Sequence, residues 1–231
     1  MALIKVMKDN CTGCGSCVDA CLYDAIELID DIANIKENCN LCGACIEACS
    51  FDALILEKEE KIQSVDLSEF KGVLVIAEHN EEKIAPVTFE LLGEGRKIAD
   101  KKGCLLEVLI LAENAKTMTE ELIFHGADKV YVIEDPLLKV YRTDPYVNGV
   151  VNVINKYKPE IVLLGATTTG RDLASAIATE LRTGLTADCT ELSIDDKTGL
   201  LKMTRPAFGG NIMATIICPK NRPQMASVRP K

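Results

Sequence analysis

Eight of the eleven cysteines lie between residues 11 and 49. They form two runs of one spacing, C-x2-C-x2-C-x3-C: Cys11, Cys14, Cys17 and Cys21, then Cys39, Cys42, Cys45 and Cys49. Each cysteine of the second run stands 28 positions after its counterpart, and the flanks repeat, Asp19-Ala-Cys-Leu-Tyr-Asp-Ala-Ile26 against Glu47-Ala-Cys-Ser-Phe-Asp-Ala-Leu54. A short unit has been duplicated. Thiols at this density form disulfides, bind zinc or hold iron–sulfur clusters. Disulfides need an oxidising compartment, and the opening Met-Ala-Leu-Ile-Lys-Val-Met-Lys-Asp has no apolar core of the length an export signal needs. Zinc favours two C-x2-C pairs across a wider gap. Three thiolates at +3 and +3, followed by one at +4, fit three corners of a cubane, with the fourth corner supplied by the other run. The expected ligand sets are therefore Cys11, Cys14, Cys17 and Cys49 for one [4Fe-4S] cluster, and Cys39, Cys42, Cys45 and Cys21 for the other.

This spacing resembles the bacterial two-cluster ferredoxin run. Gly13, Gly15 and Ser16, and in the second run Gly43 and Ala44, keep bulk away from the thiolates. Backbone N–H groups can then approach the cluster sulfurs and tune the potential, beside the ordinary use of glycine in turns. The proline that usually follows the fourth cysteine is replaced by Leu22 and Ser50. Tyr23 and Phe51 occupy equivalent places and are expected to pack against the clusters.

The chain of 231 residues is 48% hydrophobic and 26% charged, with no Trp and a net charge of −9. That composition supports a packed core. It argues against a nucleic-acid phosphate binder, an anionic membrane surface or an aromatic base-stacking platform. No apolar run reaches the length of a membrane span, and a cytoplasmic protein is expected. The acidity is uneven: residues 1–62 hold five Lys against twelve Asp and Glu. An acidic electron carrier suits a basic docking partner.

From Gly72 the texture changes. Apolar runs at Val73–Ala77, Leu105–Leu111, Lys129–Ile133 and Ile161–Gly165 alternate with helical patterns over Pro86–Lys102, around Glu120–Phe124, over Pro145–Tyr157 and over Asp172–Leu181. This rhythm predicts a parallel sheet with helices on both faces. Short segments at Cys189–Ile194, Leu200–Thr204, Met213–Cys218 and Gln224–Val228 predict added strands, some antiparallel, with Asp195-Asp-Lys-Thr-Gly199 as a hairpin turn. The loop Gly165-Ala-Thr-Thr-Thr-Gly-Arg-Asp172 follows a strand and opens a helix, where open parallel sheets bind ligands. Its N–H groups and hydroxyls suit an anion or a polar ring edge. A cation at Arg171, near a helix start, is disfavoured by the dipole. It reads either as a cofactor contact, with Gly170 and Thr169 beside it, or as a surface arginine paired with Asp172 or Glu180. Neither a P-loop nor a G-x-G-x-x-G helix start is present. Cys104, Cys189 and Cys218 read as buried apolar residues, and His79 and His125 as structural.

Residues 72–231 resemble the N-terminal domain of the electron-transfer flavoprotein α subunit. The likeness is carried by Gly72-Val-Leu-Val-Ile-Ala-Glu78, His125-Gly-Ala-Asp-Lys-Val-Tyr131, Leu164-Gly-Ala-Thr-Thr-Thr-Gly-Arg-Asp172, Thr186-Ala-Asp-Cys-Thr190, Arg205-Pro-Ala-Phe-Gly-Gly-Asn211 and Arg222-Pro-Gln-Met-Ala-Ser-Val-Arg-Pro230. The fusion is similar to α subunits of electron-bifurcating flavoproteins in lactate dehydrogenase and caffeyl-CoA reductase complexes. The resemblance implies an α+β ferredoxin-like domain over 1–62, a linker over 63–71, and an α/β domain of adenine-nucleotide-hydrolase-like type over 72–231. It implies an electron carrier rather than a complete enzyme. Its partners would be an electron-transfer flavoprotein β subunit, a FAD-dependent dehydrogenase of lactate or acyl-CoA type, and external ferredoxin. A FAD shared with the β subunit would meet Arg171, whereas the family's C-terminal domain with a second FAD is expected to be missing from this sequence. The rival expectation is a nucleotide-binding regulatory module with an iron–sulfur sensor.

Overall fold

A computed structural model describes residues 2–58, 66–80, 83–207, 209 and 212–231. The chain divides into two compact units, Met1–Ser64 and Val65–Lys231. The linker expected over 63–71 lies outside the described residues as far as 65. Its remainder holds a short 3-10 turn, Leu67–Glu69, capped by the Asp66 carboxylate. In the stretch Arg205–Asn211, residues 208, 210 and 211 likewise lie outside the described residues.

The first unit repeats one motif. Strand β1 (Ala2–Val6) is followed by helix α1 (Ser16–Asp19), a hairpin of β2 (Ile26–Ile29) and β3 (Ile32–Ile35), helix α2 (Ala44–Glu47) and strand β4 (Leu54–Lys58). β1 pairs antiparallel with β4, and β2 with β3. A small core of Ile4, Ile26, Ala33 and Leu54 backs the cysteines. It is too modest to stabilise so short a unit comfortably, which is the usual condition under which a metal group takes over part of the stabilisation.

The second unit begins with β5 (Val73–Ile76), a small ribbon of β6 (His79–Asn80) and β7 (Lys83–Ile84), and helix α3 (Pro86–Lys102). Then come β8 (Leu106–Ala112), α4 (Lys116–Phe124), β9 (Lys129–Glu134), α5 (Thr143–Tyr157), β10 (Ile161–Gly165) and α6 (Thr168–Glu180). The chain ends through β11 (Leu185–Cys189), β12 (Glu191–Ile194), β13 (Leu201–Ala207), β14 (Ile212–Ile216) and β15 (Gln224–Val228). Six strands form one sheet in the order β11-β15-β10-β5-β8-β9, and every pairing in it is parallel. Alternate residues of the central strands feed two cores. Val73, Val75, Val108, Ile110 and Leu163 face α3 and α4, while Leu74, Ile76, Leu109, Leu111, Val162 and Leu164 face α5 and α6. Burial on both faces is why these strands read as unbroken apolar runs.

Two expectations change. The single strand expected over Cys189–Ile194 is two strands in different sheets, because the chain bends at Thr190, where β11 ends at Cys189 and β12 begins at Glu191. Helix α6 begins at Thr168, four residues before the expected Asp172, so Thr169 and Gly170 are helical. As expected, the late segments add strands of both kinds, Gln224–Val228 inserting into the parallel sheet between β10 and β11 and β12-β13-β14 forming an antiparallel sheet. The hairpin turn after β12 is as expected: Asp195 Oδ1 accepts the N–H groups of Lys197 at 3.1 Å and Thr198 at 2.9 Å. Among the described residues no helix is long and apolar enough to cross a membrane.

Candidate iron–sulfur and flavin-facing sites

Both cysteine turns are built alike. Gly15 and Gly43 precede α1 and α2 at φ 81° and 84°, a left-handed conformation that costs glycine little. The same turn then places Cys17 and Cys45 in the core, 7% and 4% exposed. Asp24 and Asp52, also 28 apart, share positive φ values of 55° and 50°. Beyond them the N–H of Ala25 donates to Cys21 Sγ at 3.3 Å, and that of Ala53 to Cys49 Sγ at 3.4 Å.

Backbone relays carry each fourth cysteine to the other run. The Ala53 carbonyl accepts from Met7 N–H at 2.7 Å, and the Met7 carbonyl accepts from Cys11 N–H at 3.1 Å. Cys49 is thereby set beside Cys11. The Ala25 carbonyl accepts from Lys36 N–H at 2.9 Å, and the Lys36 carbonyl accepts from Cys39 N–H at 3.2 Å, which sets Cys21 beside Cys39. A small cavity is lined by Cys11, Cys14, Cys17 and Cys49, with Gly13 and Phe51 on its wall. Burial pushes the Cys17 thiol up, and the charges of Cys11, Cys14 and Cys49 push it further. Burial does the same to Cys45, with Cys39, Cys21 and Cys42 adding to it. Each buried thiol thus senses three cysteines, and one of the three belongs to the other run.

This donor set fits a cubane. Four thiolates on four different irons must surround a space, and N–H groups must reach their sulfurs. Among the described residues no three His, Cys, Asp or Glu side chains converge on one point, as a single ion requires. Cys14 is exposed, and its thiol is held below its usual range first by the Ser16 hydroxyl and then by the Ser16 N–H. Phe51 is 47% exposed and Tyr23 51% exposed, so the packing expected of them leaves half of each ring in solvent.

In the second unit the chain leaves β5 toward β8 on one side and returns to β10 on the other. The carboxyl ends of β5 and β10 therefore flank a crevice, as at any such reversal of strand order. A cleft of about 700 Å³ lies there, with Glu78, Tyr141, Thr167, Thr169 and Gly170 on its wall. Glu78 holds the loop after β10. Its Oε2 accepts from the Thr167 hydroxyl at 2.7 Å, and its Oε1 is buried without a hydrogen-bond partner. Burial pushes its carboxyl up from 4.5, and the Thr167 hydrogen bond opposes this. Thr167 Oγ1 in turn caps α6 by accepting the Gly170 N–H at 2.9 Å. Gly170 packs so closely that a Cβ would lie 2.0 Å from the Gly165 carbonyl oxygen and 2.7 Å from Glu78 Oε1. The loop expected to cradle an anion thus spends the Gly170 N–H and the Thr167 hydroxyl on itself, with a carboxyl packed beneath.

Arg171 pairs with neither Asp172 nor Glu180. Its Nε donates to Asp188 Oδ1 at 2.9 Å, and Arg229 Nη2 lies 3.8 Å from Asp188 Oδ2. Asp172 is engaged elsewhere, accepting the hydroxyls of Tyr141 at 2.6 Å and Thr143 at 2.7 Å. Those two bonds hold its carboxyl below the usual range. Tyr141 is pushed up to about 12, first by burial and then by Asp172. Arg171 stays 53% exposed, while Thr169 lies on the cleft wall and Gly170 is buried. Sequence reasoning passed over Glu78 and Asp188. The available signal for Glu78 was a lone carboxylate directly after an apolar strand.

Residues 73–231 match the electron transfer flavoprotein domain family, and residues 3–65 match the 4Fe-4S dicluster domain family. The electron transfer flavoprotein subunit alpha of Megasphaera elsdenii is 50% identical over 166 residues, which is 72% of this chain and 49% of that protein. The lactate dehydrogenase (NAD(+),ferredoxin) subunit LctC of Acetobacterium woodii is 40% identical over 233 residues, which is 100% of this chain and 55% of that protein. The acryloyl-CoA reductase electron transfer subunit beta of Anaerotignum propionicum is 44% identical over 189 residues, covering 72% of this chain and 52% of that protein. The chain spans about half the length of the curated relatives it matches.

Proposed function

The chain belongs to the electron transfer flavoprotein family, and from that premise we propose that it is the electron-transfer subunit of a flavin-based bifurcating or confurcating complex. It passes single electrons between external ferredoxin and a FAD held at the interface with a β subunit. The complex couples this to NAD(H) and to a FAD-dependent dehydrogenase of lactate or acyl-CoA type. One observation carries the reading: two crosswise cysteine quartets stand on the same chain as a flavoprotein domain. The alignment of the whole chain with a subunit named for NAD(+) and ferredoxin supports the same direction.

Bound cubanes supply one-electron capacity at low potential, and a flavin supplies the conversion between two-electron and one-electron steps. The chain's own residues do the holding. Cys11, Cys14, Cys17 and Cys49 bind one cluster, and Cys39, Cys42, Cys45 and Cys21 the other. Arg171, exposed and held through its Nε by Asp188, would contact the isoalloxazine of the FAD. Gly170 sets the approach of α6, and Thr169 lines the adjoining cleft. A reducing cytoplasm suits thiolates kept for iron.

The test is reconstitution of the chain, within its full-length protein, with a β subunit and a dehydrogenase, followed by a ferredoxin-reduction assay. NADH should reduce ferredoxin only while the dehydrogenase's acceptor is also being reduced. A complex with intact clusters that turns over its acceptor and never exchanges electrons with ferredoxin would overturn the proposal.

A further inference from the structure

Among the described residues, the two quartets are duplicated in backbone but differ in the side chains set beside their sulfurs. In the first quartet, Ala33 N–H donates to Cys11 Sγ at 3.5 Å and Ala53 N–H to Cys49 Sγ at 3.4 Å. Ser16 Oγ lies 3.6 Å from Cys14 Sγ, a distance that sulfur's larger radius allows. A protonated thiol donates across that gap. Once Cys14 ligates iron as a thiolate it can only accept, and the hydroxyl becomes the donor. In the second quartet the N–H of Ala25, the counterpart of Ala53, donates in the same way to Cys21 Sγ at 3.3 Å. Position 44, which is 28 after Ser16, is alanine and has no hydroxyl. Asn40, equivalent to Thr12, turns its Oδ1 to the Cys42 N–H at 3.2 Å and therefore offers an acceptor there.

Reduction adds one electron to a cubane that already carries net negative charge through its four thiolates. Donors at the sulfurs stabilise the more negative state and raise the potential. Resting on the reading that both quartets hold [4Fe-4S] clusters, we propose that the two clusters are inequivalent. The Ser16 hydroxyl, which has no counterpart at Ala44, makes the Cys11–Cys14–Cys17–Cys49 cluster the better electron acceptor. Each cluster passes between its 2+ and 1+ core states by gaining one electron from a one-electron reductant, with no bond or proton transferred. In the half-reduced protein the electron resides on the first cluster, and the second remains the low-potential member. Ser16 is a positioning residue for this charge and not a ligand.

The experiment is EPR-monitored potentiometry, with dithionite as reductant, on the full chain and three variants, each checked for eight irons. Wild type should show two separate one-electron steps. Ser16→Ala should move the upper step to lower potential, by about tenfold in the one-electron equilibrium, or ~59 mV. Ser16→Thr, which keeps the hydroxyl, should leave that step near its wild-type position. Ala44→Ser should raise the lower step and narrow the gap. If Ser16→Ala keeps eight irons and moves neither step, or moves the lower one, the proposal is overturned. If the wild-type chain binds no iron, the cluster reading itself fails and the inequivalence falls with it.

Discussion

At the scale of single residues, chemistry that resides in type and spacing was legible in advance, and chemistry that depends on distant partners was not. The eight cysteines proposed as cluster ligands stand out because one spacing occurs twice. Glu78 was invisible because its partner, Thr167, arrives from 89 positions away, and the alternative reading of Arg171, as a surface arginine paired with Asp172 or Glu180, missed its partner because Asp188 stands on another element. The crosswise sets predict a specific pattern of loss. Cys49→Ala should abolish the cluster of Cys11, Cys14 and Cys17 and leave the other, and Cys21→Ala should do the reverse; iron analysis would read about half the wild-type content in either case. Glu78 gives a pH prediction. Burial raises its carboxyl above the ordinary 4.5, so the folded state holds a proton that the unfolded chain releases. The stability this contributes is complete below the unfolded value and is lost as pH rises through the folded one. Glu78→Gln, a neutral near-isostere, should therefore match wild type in acid and gain on it as pH climbs above 4.5. Denaturant unfolding across the interval checks this, and a difference that stays constant with pH would count against a buried, protonated Glu78.

At the scale of elements, the strands of the main sheet were readable because burial on both faces leaves unbroken apolar runs. The start of α6 was not, since three consecutive threonines each have the chemistry of an N-cap, and only the fold selects Thr167. The split at Thr190 was hidden for a similar reason. Cys189 ends a strand of the parallel sheet and Glu191 opens one of the antiparallel sheet, yet both neighbours look like strand. The cap itself is testable. Thr167→Ala should cost about 1 kcal/mol in unfolding free energy, as loss of an N-cap does. It also removes the hydroxyl that Glu78 accepts. Gly170→Ala, whose Cβ would collide with the Gly165 carbonyl oxygen, should cost about 1–3 kcal/mol by overpacking. Thermal melts of both variants report the loss.

At the scale of the molecule, a duplicated, acidic cluster unit and a doubly covered parallel sheet share one chain. Residues 1–62 hold most of the net charge of −9, and thiolate-held clusters add to it. Electron exchange with a basic carrier should therefore slow as ionic strength rises and the Debye length shrinks, a trend that stopped-flow mixing at graded salt would reveal. The measurement that bears most directly on the central claim is anaerobic iron and acid-labile sulfide analysis of the full chain, with EPR after dithionite. Eight irons and eight sulfides per chain, with the signals of two reduced [4Fe-4S] clusters, is the predicted result. Two zinc ions per chain and no EPR signal after reduction would contradict it.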